Sequence, residues 1–230
     1  MNEFLASAAH HIDVLITIFP VLLSGAGITI VVVVGAMILG LCLGLPLSLV
    51  QVYGPRPLRW LASFYVWFFR GTPILVLLYL IFFGLFWALD FYINEILAVI
   101  LILGLTSTAY QSQIFRGSLQ SLPIGQFKAA KALGMSDLQA IRSVVLPQAL
   151  RMSIPGWSNE YSIILKDSAL AYAVGCKEIM SYAKSLAVAN DMPMSIYLTA
   201  GAIYLVITVI GVRLLRKLEF LVRIPGYAST

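Results

Sequence analysis

Apolar residues fill five long stretches of this 230-residue chain, and the charged residues gather mostly between them. A helix needs ~20 mainly apolar residues to cross roughly 30 Å of hydrocarbon. Stretches of that kind run from Pro20 to Val52, Trp60 to Leu89, Ile96 to Phe115, Pro147 to Gly175 and Met194 to Leu215. The first carries Gly25, Gly27, Gly35, Gly40 and Gly44, which permit close helix contact. The second contains Arg70-Gly71-Thr72-Pro73, which predicts a bent or interfacial approach before the apolar run from Ile74 to Leu89. The fourth is the least apolar and holds Glu160, Lys166 and Asp167; the fifth is uninterrupted. Segments 1–18 and 176–193 are expected to lie on the surface as partly amphipathic pieces. No internal repeat or composition break divides the chain, so residues 1–230 are expected to form a single all-α integral membrane domain of five transmembrane helices.

Composition removes the competing classes. With 60% of its residues apolar and only 11% charged, the chain could not present its surface to water without aggregating. A net charge of +5 would suggest nucleic acid in a soluble protein, but here the basic residues are spread between apolar blocks, so no nucleic-acid partner is expected. They act as topology signals. If the loop around Arg56 and Arg59 is cytoplasmic, alternation puts Arg116, Lys128, Lys131, Arg142, Arg151, Arg213, Arg216, Lys217 and Arg223 on the same side. Only Lys177 and Lys184 then face outward, which places the N-terminus outside and the C-terminus inside. Cys42 and Cys176 are expected to be free thiols. No cleavable leader is expected, because the first apolar block is too long for one. His10 and His11 have no carboxylate or cysteine at ligand spacing, so no metal site is expected. Trp60, Trp67, Trp87 and Tyr92 near span ends fit interface anchors.

The longest inner loop, from Arg116 to about Leu146, is patterned. Helix formers fill Gln126 to Leu133, Gly134 can end that helix, and Ser136 with Asp137 can cap a second one running to about Val145. Lys128-Ala129-Ala130, Gly134 and Val144-Val145-Leu146-Pro147 are spaced as in the loop of ABC importer permeases written EAA, three residues, G, nine residues, I, one residue, LP. The chain resembles the polar-amino-acid branch of that family more closely still, in Phe69 to Pro73, Gly125-Gln126, Ala132 to Ser136, Leu146 to Arg151, Asn159-Glu160 and Lys166 to Leu170. It departs from the pattern at Lys128, where the family has an acid, at Val144, and at Gln113, where members commonly have an acid.

The resemblance implies the type I ABC importer fold, in a multi-pass protein of the inner (cytoplasmic) membrane. Its cytoplasmic loop would be a pair of coupling helices seated in a groove of a separate ATPase subunit, with Lys128, Ala129, Ala130, Gly134, Leu146 and Pro147 as the coupling residues. It also implies an external substrate-binding protein, a second permease subunit that is either identical or homologous, and a polar amino acid as cargo. No GxxxxGK[ST] phosphate loop occurs, so ATP and Mg are expected in the partner ATPase, with no cofactor on this chain and no enzymatic site of its own.

Charges inside spans cost on the order of 2.5–3.5 kcal/mol on insertion scales, so they mark cavities or partners. Glu160 and Asp167 are two helical turns apart, hence on one face and about 10 Å apart along the axis. They are candidates to line the pathway and meet an ammonium or a cationic side chain; an internal ion pair or capping network with Lys166 is the alternative. The resemblance favours the first, since this branch uses a carboxylate pair at the matching positions. Thr106, Ser107 and Tyr110 put polar groups on the third span, with Thr106 and Tyr110 as pocket candidates. Other functions in view are an ABC permease for an opine or small peptide, an ion channel or secondary carrier, and a membrane enzyme using the two acids.

Overall fold

The computed structural model describes the backbone of residues 2–222 and the side chains of residues 13–222. The His10 and His11 side chains and Arg223 lie outside the described residues. Every regular element among them is helical: α1 (Asn2–Tyr53), α2 (Arg56–Gly71), α3 (Ile74–Tyr79) continuing as a π-helical stretch Leu80–Phe86, α4 (Glu95–Ser121), α5 (Ile124–Ala132), α6 (Asp137–Ala140), α7 (Leu146–Asp167), α8 (Ile179–Asn190) and α9 (Pro193–Val222). By length and composition three stretches can cross a membrane, Asp13–Tyr53, Glu95–Ser121 and Pro193–Val222. A fourth is added if Arg56–Gly71 and Ile74–Phe86 count as one broken span. The break falls at Thr72-Pro73, where a proline's missing N–H was expected to interrupt the helix. Helix α7 falls outside that set: Gln148, Asn159 and its serines, together with Arg151, Glu160, Lys166 and Asp167, make it too polar. At the other end, no break separates residues 2–18 from the first span, so the surface segment expected there is instead continuous with α1.

The chain divides into two compact units, one comprising Met1–Ala36, Pro73–Leu103 and Ile163–Val209, the other Met37–Thr72, Gly104–Ser162 and Ile210–Thr230. In the first, α8 presents Ile179, Ala183 and Ala187, spaced by four, to Ile18, Leu22 and Ala26 of α1 and to Ile196, Ala200 and Ile203 of α9. Segment 176–193 thus buries one stripe, and its outer face carries Lys184 but also the apolar Val188. Preceding α8, a 3₁₀ stretch Ser168–Val174 ends at Gly175, whose φ of 85° makes the turn that an L side chain resists.

The second unit carries the patterned loop. Helix α5 ends in a Schellman turn: Met135 N–H donates to the Ala130 carbonyl at 3.2 Å and Gly134 N–H to Lys131 at 3.0 Å, with Gly134 at φ 82°. Ser136 then caps α6 through a reciprocal box with Gln139. The second loop helix is not the separate short helix expected. It runs on through a π-helical turn, Ile141–Val145, directly into α7. Pro147 explains the widening, because it has no N–H for the Ser143 carbonyl and its ring crowds that oxygen. The Gln148 side chain donates to the Val144 carbonyl at 2.8 Å and satisfies a neighbouring acceptor. Leu119, Val145 and Ala149, with Leu49, Val52, Leu122 and Phe127 against them, anchor the elbow to its unit.

Candidate functional site

In the second unit, α7 brings Glu160 into a buried position, only 2% exposed. A carboxylate so placed needs donors. Its Oε1 accepts a hydrogen bond from the Ser107 hydroxyl of α4 at 2.8 Å. Ser107 in turn accepts from the Gln111 Nε2 amide one helical turn further along, at 3.0 Å. That same amide donates to the Met37 carbonyl of α1 at 3.0 Å, and its oxygen accepts from the Trp157 indole N–H at 2.6 Å. The result is a hydrogen-bonded chain from Trp157 through Gln111 and Ser107 to Glu160. Ser107 and Gln111 are completely buried.

Close backbone contact makes room for it. A Cβ on Gly40 would overlap the Gln111 amide nitrogen and stand 2.9 Å from the Ser107 hydroxyl oxygen, so only glycine fits there without displacing the network.

Of the other pocket candidates, Thr106 is buried beside Ser107 on α4. Tyr110 is half-buried, with the Arg70 guanidinium 5.0 Å from its ring centroid, a cation–π contact. Asp167 is the last residue of α7, half-buried, and belongs to the first unit, while Lys166 beside it is exposed. Gln113, further along α4, donates to the Gln51 side chain at 2.8 Å and accepts from Arg116 at 3.4 Å, a neutral pairing at the position where an acid was expected. Ser107 was noted from the sequence as a polar neighbour. Gln111 and Trp157 were missed, although the i, i+4 spacing of Ser107 and Gln111 on an apolar helix was a usable signal.

The elbow is the second candidate surface. On α5, Phe127 and Ala130 face the unit's core, while Ile124 and Lys128, one turn apart, are exposed. Leu133 at the corner is 81% exposed and Leu138 on α6 is 74% exposed. Lys131 pairs with Asp137 at 2.8 Å across the corner, and among the described residues no carboxylate pairs with Lys128. Ala129 is exposed; Leu146 and Pro147, which begin α7, are half-buried.

Two ionisable groups outside the spans are perturbed. Burial pushes the Glu178 carboxyl above the usual range, against hydrogen bonds from Tyr204 and the backbone at Met180 and Ser181. Burial, then the nearby Glu178 and Glu95 charges, push the Cys176 thiol up to about 11, which keeps it protonated and inert. No cluster of metal-ligating side chains occurs among the described residues.

Residues 40–224 match the family described as the inner membrane component of binding-protein-dependent transport systems. The chain belongs to this family. Among individual members, the arginine transport system permease protein ArtQ of Bacillus subtilis is 36% identical over 204 residues, covering 87% of this chain and 93% of the relative. The nopaline transport system permease protein NocM of Agrobacterium fabrum is 33% identical over 221 residues, covering 91% and 90%. A chain in the crystal structure of an amino acid ABC transporter with histidines superposes with a TM-score of 0.81 at 31% identity, over 89% of this chain and 95% of that one. As a transport inner membrane component, the protein has the type I importer permease fold that the loop motif implied, and the family match takes in Ser107, Gln111, Trp157 and Glu160 as well as the elbow.

Proposed function

We propose that this chain is the membrane-spanning permease of an ATP-driven importer for polar amino acids, with cationic ones favoured. The observation that carries the reading is a buried carboxylate, Glu160 of α7, held as a hydrogen-bond acceptor in a chain of the transport inner membrane component family. Such a group is retained where it meets a cation, and an amino acid supplies one in its ammonium or a basic side chain. Similarity to an arginine permease supports a basic cargo; similarity to a nopaline permease supports a second class, an opine. Asp167 serves as a second carboxylate on the pathway, and Thr106 and Tyr110 serve as wall residues on α4.

The two compact units work as one transmembrane domain. Support comes from the unit boundaries, four of which, at Ala36, Leu103, Ser162 and Val209, fall inside continuous helices, while the fifth lies at the Thr72-Pro73 break. The broken pair and α7 complete five spans, with the N-terminus outside, the C-terminus inside, and the protein in the inner membrane. Energy comes from outside the chain. ATP and Mg bind a partner ATPase, an external binding protein delivers the cargo, and a second permease, identical or homologous, completes the pathway. The elbow couples them: exposed Ala129 allows close docking, buried Ala130 lets α5 lie close on its own unit, Gly134 shapes the corner, Leu146 and Pro147 pass the motion to α7, and exposed Ile124, Leu133 and Leu138 supply apolar contact. Closure of the ATPase pair then shifts the permease between inward- and outward-facing states, driven by the differential binding of ATP to the two.

Reconstitution with ATPase and binding protein in proteoliposomes tests this. ATP-dependent uptake with competition across the twenty amino acids should rank arginine, lysine or histidine among the best competitors. Uptake that proceeds without any ATPase would overturn the importer reading in favour of a channel or secondary carrier.

A further inference from the structure

We propose that Trp157 and Gln111 are positioning residues for substrate recognition: they fix the direction of a hydrogen-bonded chain so that Ser107 must donate to Glu160. This inference rests on the reading of Glu160 as the substrate acceptor. Direction follows from the chemistry of each group. An indole N–H can only donate, so the Gln111 side chain must turn its oxygen to Trp157, 2.6 Å away. Its NH₂ is thereby turned to the Met37 carbonyl and to Ser107, each at 3.0 Å, using both hydrogens. Ser107, now an acceptor, has one hydrogen left. Two acceptors are within reach of it, the Glu160 Oε1 at 2.8 Å and the Met37 sulfur at 4.0 Å; the carboxylate is nearer and far stronger.

The consequence is an acceptor that is already oriented. Without the indole, the buried Gln111 oxygen loses its donor and only the Met37 carbonyl, which would oppose an oxygen in place of the NH₂, still resists a flip; each flipped or displaced amide presents its oxygen to Ser107 and draws that hydroxyl's hydrogen away from Glu160. The carboxylate would then be buried with one fewer donor and a freer rotamer, and a cation binding it would have to order it first. Gly40 serves the same end, since its bare Cα is what admits the Gln111 amide.

The test uses the intact permease–ATPase complex in detergent. The measurement is binding of an equimolar mixture of the twenty radiolabelled amino acids, alongside uptake by the complete importer. Trp157→Phe keeps an aromatic ring and deletes the donor; it should weaken binding and raise the KM of uptake about tenfold with the maximal rate unchanged, alongside the modest fall in melting temperature that one lost buried hydrogen bond brings. Ser107→Ala should do the same, Ser107→Thr should restore most of the affinity, and the Trp157→Phe/Ser107→Ala pair should be no worse than either alone, because both act through one chain. Wild-type affinity in Trp157→Phe, additive losses in the pair, or losses confined to melting temperature and maximal rate would overturn the positioning role. Glu160→Gln separates the two layers. If it loses binding while Trp157→Phe and Ser107→Ala do not, the positioning role alone is wrong; if it binds like wild type, the substrate reading of Glu160 falls and takes this inference with it.

Discussion

Tyr204 of α9 donates its hydroxyl to the carboxylate of Glu178, the residue that caps α8. The other carboxylate oxygen accepts from the Ser181 N–H at 2.7 Å, so one fully buried side chain ties two helices of the first unit. Thr29 of α1 joins them, accepting from the Ile179 N–H at 3.4 Å.

Removing the phenol should therefore cost more than a surface hydroxyl would. Tyr204→Phe leaves a buried carboxylate short of a donor, a loss of about 1–3 kcal/mol, and should lower the melting temperature of the detergent-purified protein. The pH dependence follows from the raised Glu178 value. A group whose folded value lies above its unfolded one binds its proton more tightly when folded. Its contribution to stability is full below the ordinary carboxylate value and is lost as pH rises through the raised folded value. Melting temperatures across that window should fall with rising pH in the wild type and less so in Glu178→Gln, which is permanently neutral; equal slopes would refute the assignment.

Two glycines of α1, half a turn apart, should respond in opposite ways. A Cβ on Gly25 would stand 2.8 Å from the Ile179 nitrogen and 2.9 Å from the Glu178 carbonyl carbon, backbone that cannot yield cheaply, whereas a Cβ on Gly27 would meet nothing within 4 Å. Gly25→Ala should destabilise by about 1–3 kcal/mol through overpacking. Gly27→Ala should be neutral or slightly stabilising, since alanine favours helix by about 1 kcal/mol over glycine. Thermal melts of the two variants against wild type decide the matter.

What the sequence made legible depended on how local the interaction was. The Gly134 corner and the Ser136 cap are set by residues a few positions apart, and both stand where the loop pattern put them. The run-on of α6 into α7 was hidden, because proline usually signals a break and its accommodation by a π turn depends on packing of Val145 and Ala149 against Leu119. The Glu160 network was hidden for a different reason. Helix α4 is apolar over most of its surface, so periodicity does not say which way Thr106, Ser107 and Gln111 point. The residues they meet, Met37, Trp157 and Glu160, come from other helices. The chemistry of Glu160 was readable because a carboxylate in a span is conspicuous. Its donors are common polar residues and were not.

Gly134 should show whether the corner's conformation matters for coupling. Its φ of 82° costs an L residue roughly 1–2 kcal/mol, and open space around its Cα means that the penalty is conformational and not steric. Asparagine tolerates this region better than alanine or valine. ATPase activity stimulated by loaded binding protein should therefore fall in the order wild type, Gly134→Asn, Gly134→Ala, Gly134→Val, with the melting temperature falling by no more than the few degrees such a cost implies. An alanine variant with full stimulation would remove the corner from the coupling path.

Lys128 gives the sharpest test of how the elbow meets its motor. The Lys131–Asp137 pair is exposed and worth about 0–1 kcal/mol at most, so its disruption should barely change stability. Lys128 is different because it stands on the face shared with Ile124, with no carboxylate of its own among the described residues. An elbow that exposes Lys128 on α5, unpaired among the described residues, together with apolar Ile124, Leu133 and Leu138 fits a groove with an apolar floor and an acidic rim, where charge matching governs specificity and association rate. Lys128→Glu should weaken copurification with the cognate ATPase and reduce stimulated hydrolysis at least several-fold, with a loss that shrinks as salt rises and screens the repulsion. Lys128→Met, which removes charge without reversing it, should fall between. Leu133→Asp with Leu138→Asp should abolish assembly irrespective of salt, since that loss is apolar. If the aspartate pair breaks the complex and Lys128→Glu leaves it intact, the elbow docks through its leucines and the groove is indifferent to the lysine.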